Sequence, residues 1–411
     1  MLFLMEAVAL AHVARPLVLA RWAQENAYDV TIACGSAYAD IVRAKGFEPV
    51  PVPTILPQTF CGRIEHGQFF YQLTELMDYV RAELALYECI RPDLVIADFR
   101  HSAVVSTAVA GLPLVSLANA YWSPAHPCRF SPPANLFRKL PNWVVYSLFA
   151  CLRPWLFRTF GTPILNELRN RFGQPLIDDF REHYTAGVWC AYLDLPELVP
   201  VANLPANHFH LGPVIWQPTD PPPLHVKHTG CRPLAYVSMG STGDLAVLPK
   251  VLHALMEANF NCTVSGVSDA GAKQLCSSMP RLASRARFAP LVSPGEVLES
   301  AALTVCHGGN GTVYQSLREG VPVLCLPSNP DQALMAAAVV EQGAGLAVNP
   351  SRTNLRSHLK QLASHDSFRR AAEKIARTMA AHDSKSRWLD FLEQVVPSAI
   401  NEFIPGVRTH G

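Results

Sequence analysis

Charge is what this sequence has least of. Asp, Glu, Lys and Arg make up 16% of its 411 residues, against about 25% in ordinary globular chains, while hydrophobic residues make up 49%. A chain this apolar buries far more surface than its ordering entropy demands, which excludes intrinsic disorder. A basic excess is also missing. The 34 Lys and Arg against 33 Asp and Glu leave a formal net charge of +1, which argues against nucleic acid as the main partner. No apolar run reaches the roughly 18–20 residues that span a bilayer. Met1 leads through Leu2–Met5 straight to acidic Glu6, without the charged start of a signal peptide, so the expected location is the cytoplasm. The 11 cysteines never form a CxxC pair, which makes them a poor disulfide framework and a poor zinc site; they read as reduced core fillers. No GxGxxG follows the first apolar run, which argues against a dehydrogenase.

What is there is alternation. Met1–Met5, Asp29–Ala33, Leu94–Ala97 and Leu114–Leu117 read as buried strands, with a helix from His12 to Gln24 whose Pro16 is placed in its first turn. Strands separated by helices imply parallel βαβ units and a doubly wound sheet. A Pro-rich stretch containing Pro218, Pro221, Pro222 and Pro223 then reads as a linker. After it the pattern restarts, with strands at Leu234–Ser238, Asn261–Val264, Leu303–Cys306 and Pro322–Leu326 and helices from about Leu245 and Thr312. The division expected is a first domain over 1–213, a linker over 214–232, a second domain over 233–385, and a tail over 386–411 packing back on the first domain. Two such α/β halves facing each other would make a cleft, and open α/β sheets bind ligands at the carboxyl ends of their strands.

One segment departs from this composition. From Phe99 to Asn166 there is no Asp or Glu, yet Arg100, Arg129, Arg138, Lys139, Arg153 and Arg158 are all basic. Within it, the aromatic stretch over 134–160 suits an anionic membrane surface or the lining of a lipophilic pocket; an ordinary buried hairpin is the alternative.

The sharpest chemical signal is Val305-Cys306-His307-Gly308-Gly309-Asn310-Gly311-Thr312, ending one strand and opening a helix. Glycines let backbone approach a ligand closely, and a helix N-terminus offers free N–H groups with about half a positive charge, so the turn suits a phosphate. His307 is placed to donate to the same phosphate. Asp331 and Gln332, at the end of the next strand, offer a carboxylate and an amide suited to vicinal sugar hydroxyls; equally, they suit a helix start after Pro330.

Taken together, His307-Gly-Gly-Asn-Gly-Thr312, Gly320-Val-Pro322 and Asp331-Gln332 resemble the donor-binding signature of glycosyltransferase family 1, whose members have the two-domain GT-B fold. The resemblance extends to Tyr236-Val-Ser-Met-Gly-Ser241, to Phe288-Ala-Pro-Leu291, and to Leu10-Ala-His-Val-Ala-Arg-Pro16, where the family carries its catalytic histidine. It implies two facing doubly wound, Rossmann-like domains with a donor/acceptor cleft. His307, Gly309, Asn310, Gly311 and Thr312 would hold the diphosphate, with Ser241 and Thr242 closing from the other loop. Phe288 and Leu291 would take the nucleobase, Gln315 the ribose, and Asp331 and Gln332 the sugar. His12 would be the general base and Asp98 the carboxylate paired with it. The chemistry stands without the family: an alcohol is a poor nucleophile, a positioned imidazole typically contributes 10²–10⁴-fold, and a carboxylate on its other nitrogen selects the tautomer. Both residues are placed at carboxyl ends of strands, with Arg100 and His101 as near competitors for the pairing.

Two departures from the family pattern stand out. Ala11 replaces a glycine that many relatives have before the histidine. Gln315 stands where many users of UDP-sugars carry Glu. The expected function is an inverting, metal-independent transfer of a hexose from a UDP- or dTDP-sugar to a hydroxyl of a lipophilic acceptor. The nucleotide sugar is a co-substrate; no cofactor or metal is expected, the diphosphate being neutralised by the helix N-terminus and His307. Competing readings are a nucleotide-sugar epimerase of the same fold and a non-catalytic partner of another transferase.

Overall fold

The computed structural model describes residues 1–126, 152, 155–218, 232–350 and 353–403, the last seven by backbone alone. The described chain divides into two compact units. The first holds residues 1–126, 152, 155–214 and 383–403, and the second holds 215–218, 232–350 and 353–382.

The first unit is built on β1 (Leu2–Met5), β2 (Thr31–Cys34), β3 (Val50–Pro51), β4 (Val95–Asp98), β5 (Leu114–Ala118), β6 (Trp189–Tyr192) and β7 (His208–His210). They pair in parallel in the order β3-β2-β1-β4-β5-β6-β7. Strands buried on both faces read as unbroken apolar runs, which is why Leu2–Met5 and Leu114–Ala118 lack alternation. Helices α1 (Ala11–Glu25), α2 (Leu73–Ile90) and α3 (His101–Ala110) cover this sheet. The chain order reverses between β1 and β4, the switch point where doubly wound sheets bind ligands.

The second unit has β8 (Leu234–Ser238), β9 (Asn261–Ser265), β10 (Ala286–Ala289), β11 (Ala301–Cys306), β12 (Val323–Cys325) and β13 (Gly345–Ala347), parallel in the order β10-β9-β8-β11-β12-β13. Its switch point lies between β8 and β11. Helices α4 (Leu248–Glu257), α5 (Asn310–Arg318) and α6 (Pro330–Glu341) belong to it. Its core gathers Val237, Leu252, Val264, Leu303 and Val305.

The last described helix, α7 (Ser384–Phe403), belongs to the first unit. Trp388 is fully buried in that unit's core with Phe3, Val13, Leu17 and Leu392, and its indole donates to the Leu19 carbonyl at 3.2 Å. Truncating it to Ala would cost about 3–5 kcal/mol.

Local chemistry moved several expected boundaries. Pro16 lies in the second turn of α1, not the first, and having no N–H it leaves the His12 carbonyl without its helical donor. The helix expected from Leu245 opens as a short 3₁₀ turn, and α4 starts at Leu248 with Pro249 in its first turn. Helix α5 starts at Asn310 and not Thr312, so the glycine turn ends at Gly309. Most of the 134–160 stretch lies outside the described residues; of its described part, Leu152 and Trp155 are exposed and Phe157 is buried.

Candidate active site

His12 and Asp98 meet in the first unit. Asp98 ends β4, is fully buried, and its Oδ1 lies 2.8 Å from His12 Nδ1. An ionised carboxylate only accepts, so Nδ1 must carry the proton and Nε2 the lone pair. His12 is not at a strand end as expected: it is the second residue of α1, because Glu6–Leu10 turn between β1 and the helix. Ala11 is the first helical residue and has no positive φ, so its backbone conformation does not require glycine. The next residue after Asp98, Phe99, does hold a left-handed backbone at φ 57°, and its ring stacks on the His12 imidazole with centroids 4.5 Å apart and 13° between planes. A bulky residue at positive φ is costly, and the rings of Phe60, Phe70 and Tyr184 pack around Phe99 to hold it there.

The competitors for this pairing are spent elsewhere. Arg100 is buried between Glu83 and Glu6, donating from Nε at 2.7 Å and from Nη1 at 3.0 Å. Glu83 also accepts from Ser102 and Ser106 at 2.5 and 2.6 Å. Burial pushes the Glu6 carboxyl up to about 7, outweighing the pull of Arg100. His101 is buried against Phe69, Phe70, Tyr71 and Phe99, and burial drives its basicity well below that of a free imidazole.

Sequence reasoning missed Arg15, which is 4% exposed and holds Asp98 from the same helix. Its spacing of three residues from His12 places both on one helix face, a signal that was legible. Asn119, which accepts from Arg15, had no such signal.

In the second unit the glycine turn follows β11 directly. The His307 ring packs between two loops: a Cβ at Gly309 would stand 2.2 Å from its Nε2, and one at Gly240 2.3 Å from its Cε1. Only glycine fits at either place. Burial pushes His307 down to about 4, so it is neutral at physiological pH. In that state it offers hydrogen bonding and no charge, and its buried Nδ1 has no hydrogen-bond partner among the described residues. The positive charge falls to α5, whose N-terminus at Gly309, Asn310, Gly311 and Thr312 has no side-chain cap and no acid in its first turn.

Gln332 also departs from expectation. Its side chain is 1% exposed; Oε1 accepts from Ser328 N at 2.8 Å and Oγ at 2.9 Å, and Nε2 donates to the Thr242 carbonyl at 3.2 Å. It ties the Thr242 loop to the start of α6, and these bonds occupy the amide that was expected on sugar hydroxyls. Asp331, beside it, is half-buried in the first turn of α6, which Asn329 caps. Ser241 is exposed on the loop after β8. Phe288 lies on edge strand β10 and packs in part on the core, with Leu291 exposed just beyond it. Gln315, half-buried on α5, donates from Nε2 to the Trp216 carbonyl at 3.1 Å.

Among the described residues no group of His, Cys, Asp and Glu converges as a metal site, and no helix is long and apolar enough to cross a membrane.

Residues 251–392 match the family model "Erythromycin biosynthesis protein CIII-like, C-terminal domain". A "PGL/p-HBAD biosynthesis glycosyltransferase" of Mycobacterium tuberculosis is 37% identical over 386 residues, covering 91% of this chain and 87% of the relative. A "PGL/p-HBAD biosynthesis rhamnosyltransferase" of Mycobacterium bovis is 35% identical over 382 residues, covering 91% and 83%. Among solved structures, the spinosyn forosaminyltransferase SpnP aligns with a TM-score of 0.70 at 19% identity, covering 96% of this chain and 98% of that one. The glycosyltransferase VinC in complex with dTDP aligns at 0.68 and 19%, covering 97% and 100%. With two parallel Rossmann-like sheets and these relatives, the chain belongs to the family of the PGL/p-HBAD biosynthesis glycosyltransferases and is a nucleotide-sugar-dependent glycosyltransferase of the GT-B fold.

Proposed function

We propose that the chain, as a member of glycosyltransferase family 1, transfers a hexose or deoxyhexose from a dTDP-sugar to a hydroxyl of a lipophilic acceptor with inversion and without a metal. The observation that carries this reading is the 2.8 Å contact between His12 Nδ1 and Asp98, which leaves Nε2 as a base. In a single displacement Nε2 takes the acceptor proton while the acceptor oxygen bonds to the anomeric carbon. The bond from that carbon to the diphosphate breaks, and its electron pair leaves with the nucleoside diphosphate. Asp98 stabilises the imidazolium as it forms. The uncapped start of α5 receives the charge on the leaving diphosphate.

A dTDP donor is supported by the neighbour bound to dTDP, and rhamnose by the name of the M. bovis relative. A lipophilic acceptor is supported by the aromatic surroundings of His12, where Phe99 stacks on the base and packs against Phe60, Phe70 and Tyr184. The exposed Leu152 and Trp155 support contact of that part of the chain with a lipid surface, which flotation on liposomes with and without anionic lipid tests.

Mass spectrometry and NMR of the products together test the whole reading, using UDP- and dTDP-glucose and dTDP-rhamnose against a panel of phenols, polyphenols and lipids in EDTA. Transfer of a sugar with inverted anomeric configuration is the expected result. Epimerised donor without acceptor, or activity lost in EDTA and restored by a divalent metal, contradicts it.

A further inference from the structure

Arg15 is buried and charged, and it touches both members of the His12–Asp98 pair. Its guanidinium reaches Asp98 through two atoms, Nε at 3.1 Å from Oδ2 and Nη2 at 2.9 Å from Oδ1. The same Oδ1 accepts from His12 Nδ1. Its remaining arm, Nη1, donates to Asn119 Oδ1 at 2.5 Å, and Asn119 Nδ2 donates to the Tyr121 hydroxyl at 2.6 Å. Asp98 ends β4 and Asn119 follows β5, so one side chain ties the helix that bears His12 to two neighbouring strand ends. Arg15, Asp98, Asn119 and Tyr121 are exposed by 4%, 0%, 3% and 1%.

Two consequences follow from elementary chemistry. A buried ion pair is stable only with good geometry and its remaining hydrogen bonds met, which Asn119 and His12 supply. Guanidinium is planar and donates in a rigid fork, so it sets the plane of the carboxylate it grips. A rotated Asp98 would let His12 adopt the other tautomer, with the proton on Nε2 and no base facing the acceptor. Nη2 stands 3.4 Å from His12 Nδ1, and since the carboxylate requires a proton on Nδ1, both of these atoms are donors and Nη2 is committed to Asp98.

We propose that Arg15 is the positioning residue of the His12–Asp98 pair, holding the Asp98 carboxylate in plane and thereby selecting the His12 tautomer that has a bare Nε2. The proposal rests on the reading of His12 as general base.

The test reads the tautomer directly. In the full-length chain labelled with ¹⁵N-histidine, long-range ¹H–¹⁵N spectra at mildly alkaline pH report which ring nitrogen is protonated, and His12→Asn assigns the signal. Unaltered protein is expected to show protonated Nδ1 on His12, and Arg15→Gln a mixture of tautomers. Turnover of dTDP-rhamnose with a long-chain alkylphenol should fall about 100-fold in Arg15→Gln, within the span of general-base catalysis, with KM for either substrate moving less than about 3-fold. Arg15→Lys, which keeps the charge but not the fork, should recover part of both. Asn119→Ala removes only the far anchor and should move tautomer and turnover in the same direction by less, which keeps a readout if Arg15→Gln does not fold. An unchanged tautomer in Arg15→Gln, or in Asn119→Ala should the former not fold, overturns the proposal. Full turnover in His12→Asn with a shifted tautomer in Arg15→Gln overturns only the general-base reading.

Discussion

Gln315 donates through Nε2 to the Trp216 carbonyl at 3.1 Å, which commits its amine end inside the second unit and leaves Oε1 as its one acceptor. Glu at this place would offer two acceptor oxygens in charge-assisted bonds, enough for both hydroxyls of a ribose. One acceptor suffices for deoxyribose. We therefore expect dTDP-sugars to be used at least as well as UDP-sugars. Gln315→Glu should shift the preference towards UDP by about 10- to 150-fold, the worth of one such bond. Competition between UDP-glucose and dTDP-glucose checks both, and a strong UDP preference in the unaltered enzyme contradicts the first.

His12→Ala should abolish transfer and leave calorimetric affinity for dTDP nearly unchanged, because His12 belongs to the first unit and the proposed phosphate loop to the second. Affinity that falls in step with turnover would refute this division of labour.

His307→Ala should act in the opposite sense. Losing a hydrogen bond to a charged group costs about 1.5–3 kcal/mol, so dTDP affinity should weaken about 10- to 150-fold. Since His307 is held neutral by burial, dTDP affinity should show no loss of a cationic imidazole across neutral pH. Unchanged affinity in the variant would remove His307 from the phosphate site.

Glu6 sets an alkaline limit on stability. Its carboxyl titrates near 4.5 when unfolded and about 7 when folded, so the folded state binds the extra proton between those values. Stability from this group is present below about 4.5 and is lost as pH rises through about 7. Glu6→Gln should flatten the decline in melting temperature between pH 5 and pH 8, a contribution of about 1–3 kcal/mol. An unchanged slope in the variant would show that Glu6 ionises normally in the folded chain.

His183 sets an acid limit. It is fully buried, its Nε2 donates to the His101 carbonyl at 2.8 Å, and its Nδ1 lies 3.2 Å from Arg169 Nη1, which leaves no room for a second proton. Burial pushes it down to about 4 from 6.5, so its stabilising contribution is present above pH 6.5 and is lost as pH falls towards 4. His183→Gln should be less stable than the parent at pH 7.5 but lose less on acidification, as thermal unfolding at both ends would reveal. Parallel acid limbs in parent and variant would contradict this.

Much of the architecture was legible because buried parallel strands are short apolar runs with turn residues between them, as at Leu234–Ser238, which matches β8 residue for residue. The glycine turn was legible because its geometry is local: His307 to Thr312 carry it in one stretch. Strands β3, β6, β7, β10 and β13 carry no such signal: all but β6 lie at a sheet edge, where their neighbours shape them. Gln332 was read as a ligand because adjacent acid and amide suit sugar hydroxyls; its saturation by Ser328 and Thr242 depends on a loop 90 residues away.

The sequence by itself determined where the strands and turns fall and which residues carry the chemistry of a sugar transferase, since these depend on side-chain period, backbone freedom and local spacing. Only the tertiary structure decided which charges meet. Asp98 lies 83 residues from Arg15, and Asn119 lies 104. Arg100 had looked a rival to His12 until Glu6 and Glu83 enclosed it. A buried charge must find its partner wherever the sheet order brings one within about 3 Å, and spacing along the chain does not encode that choice.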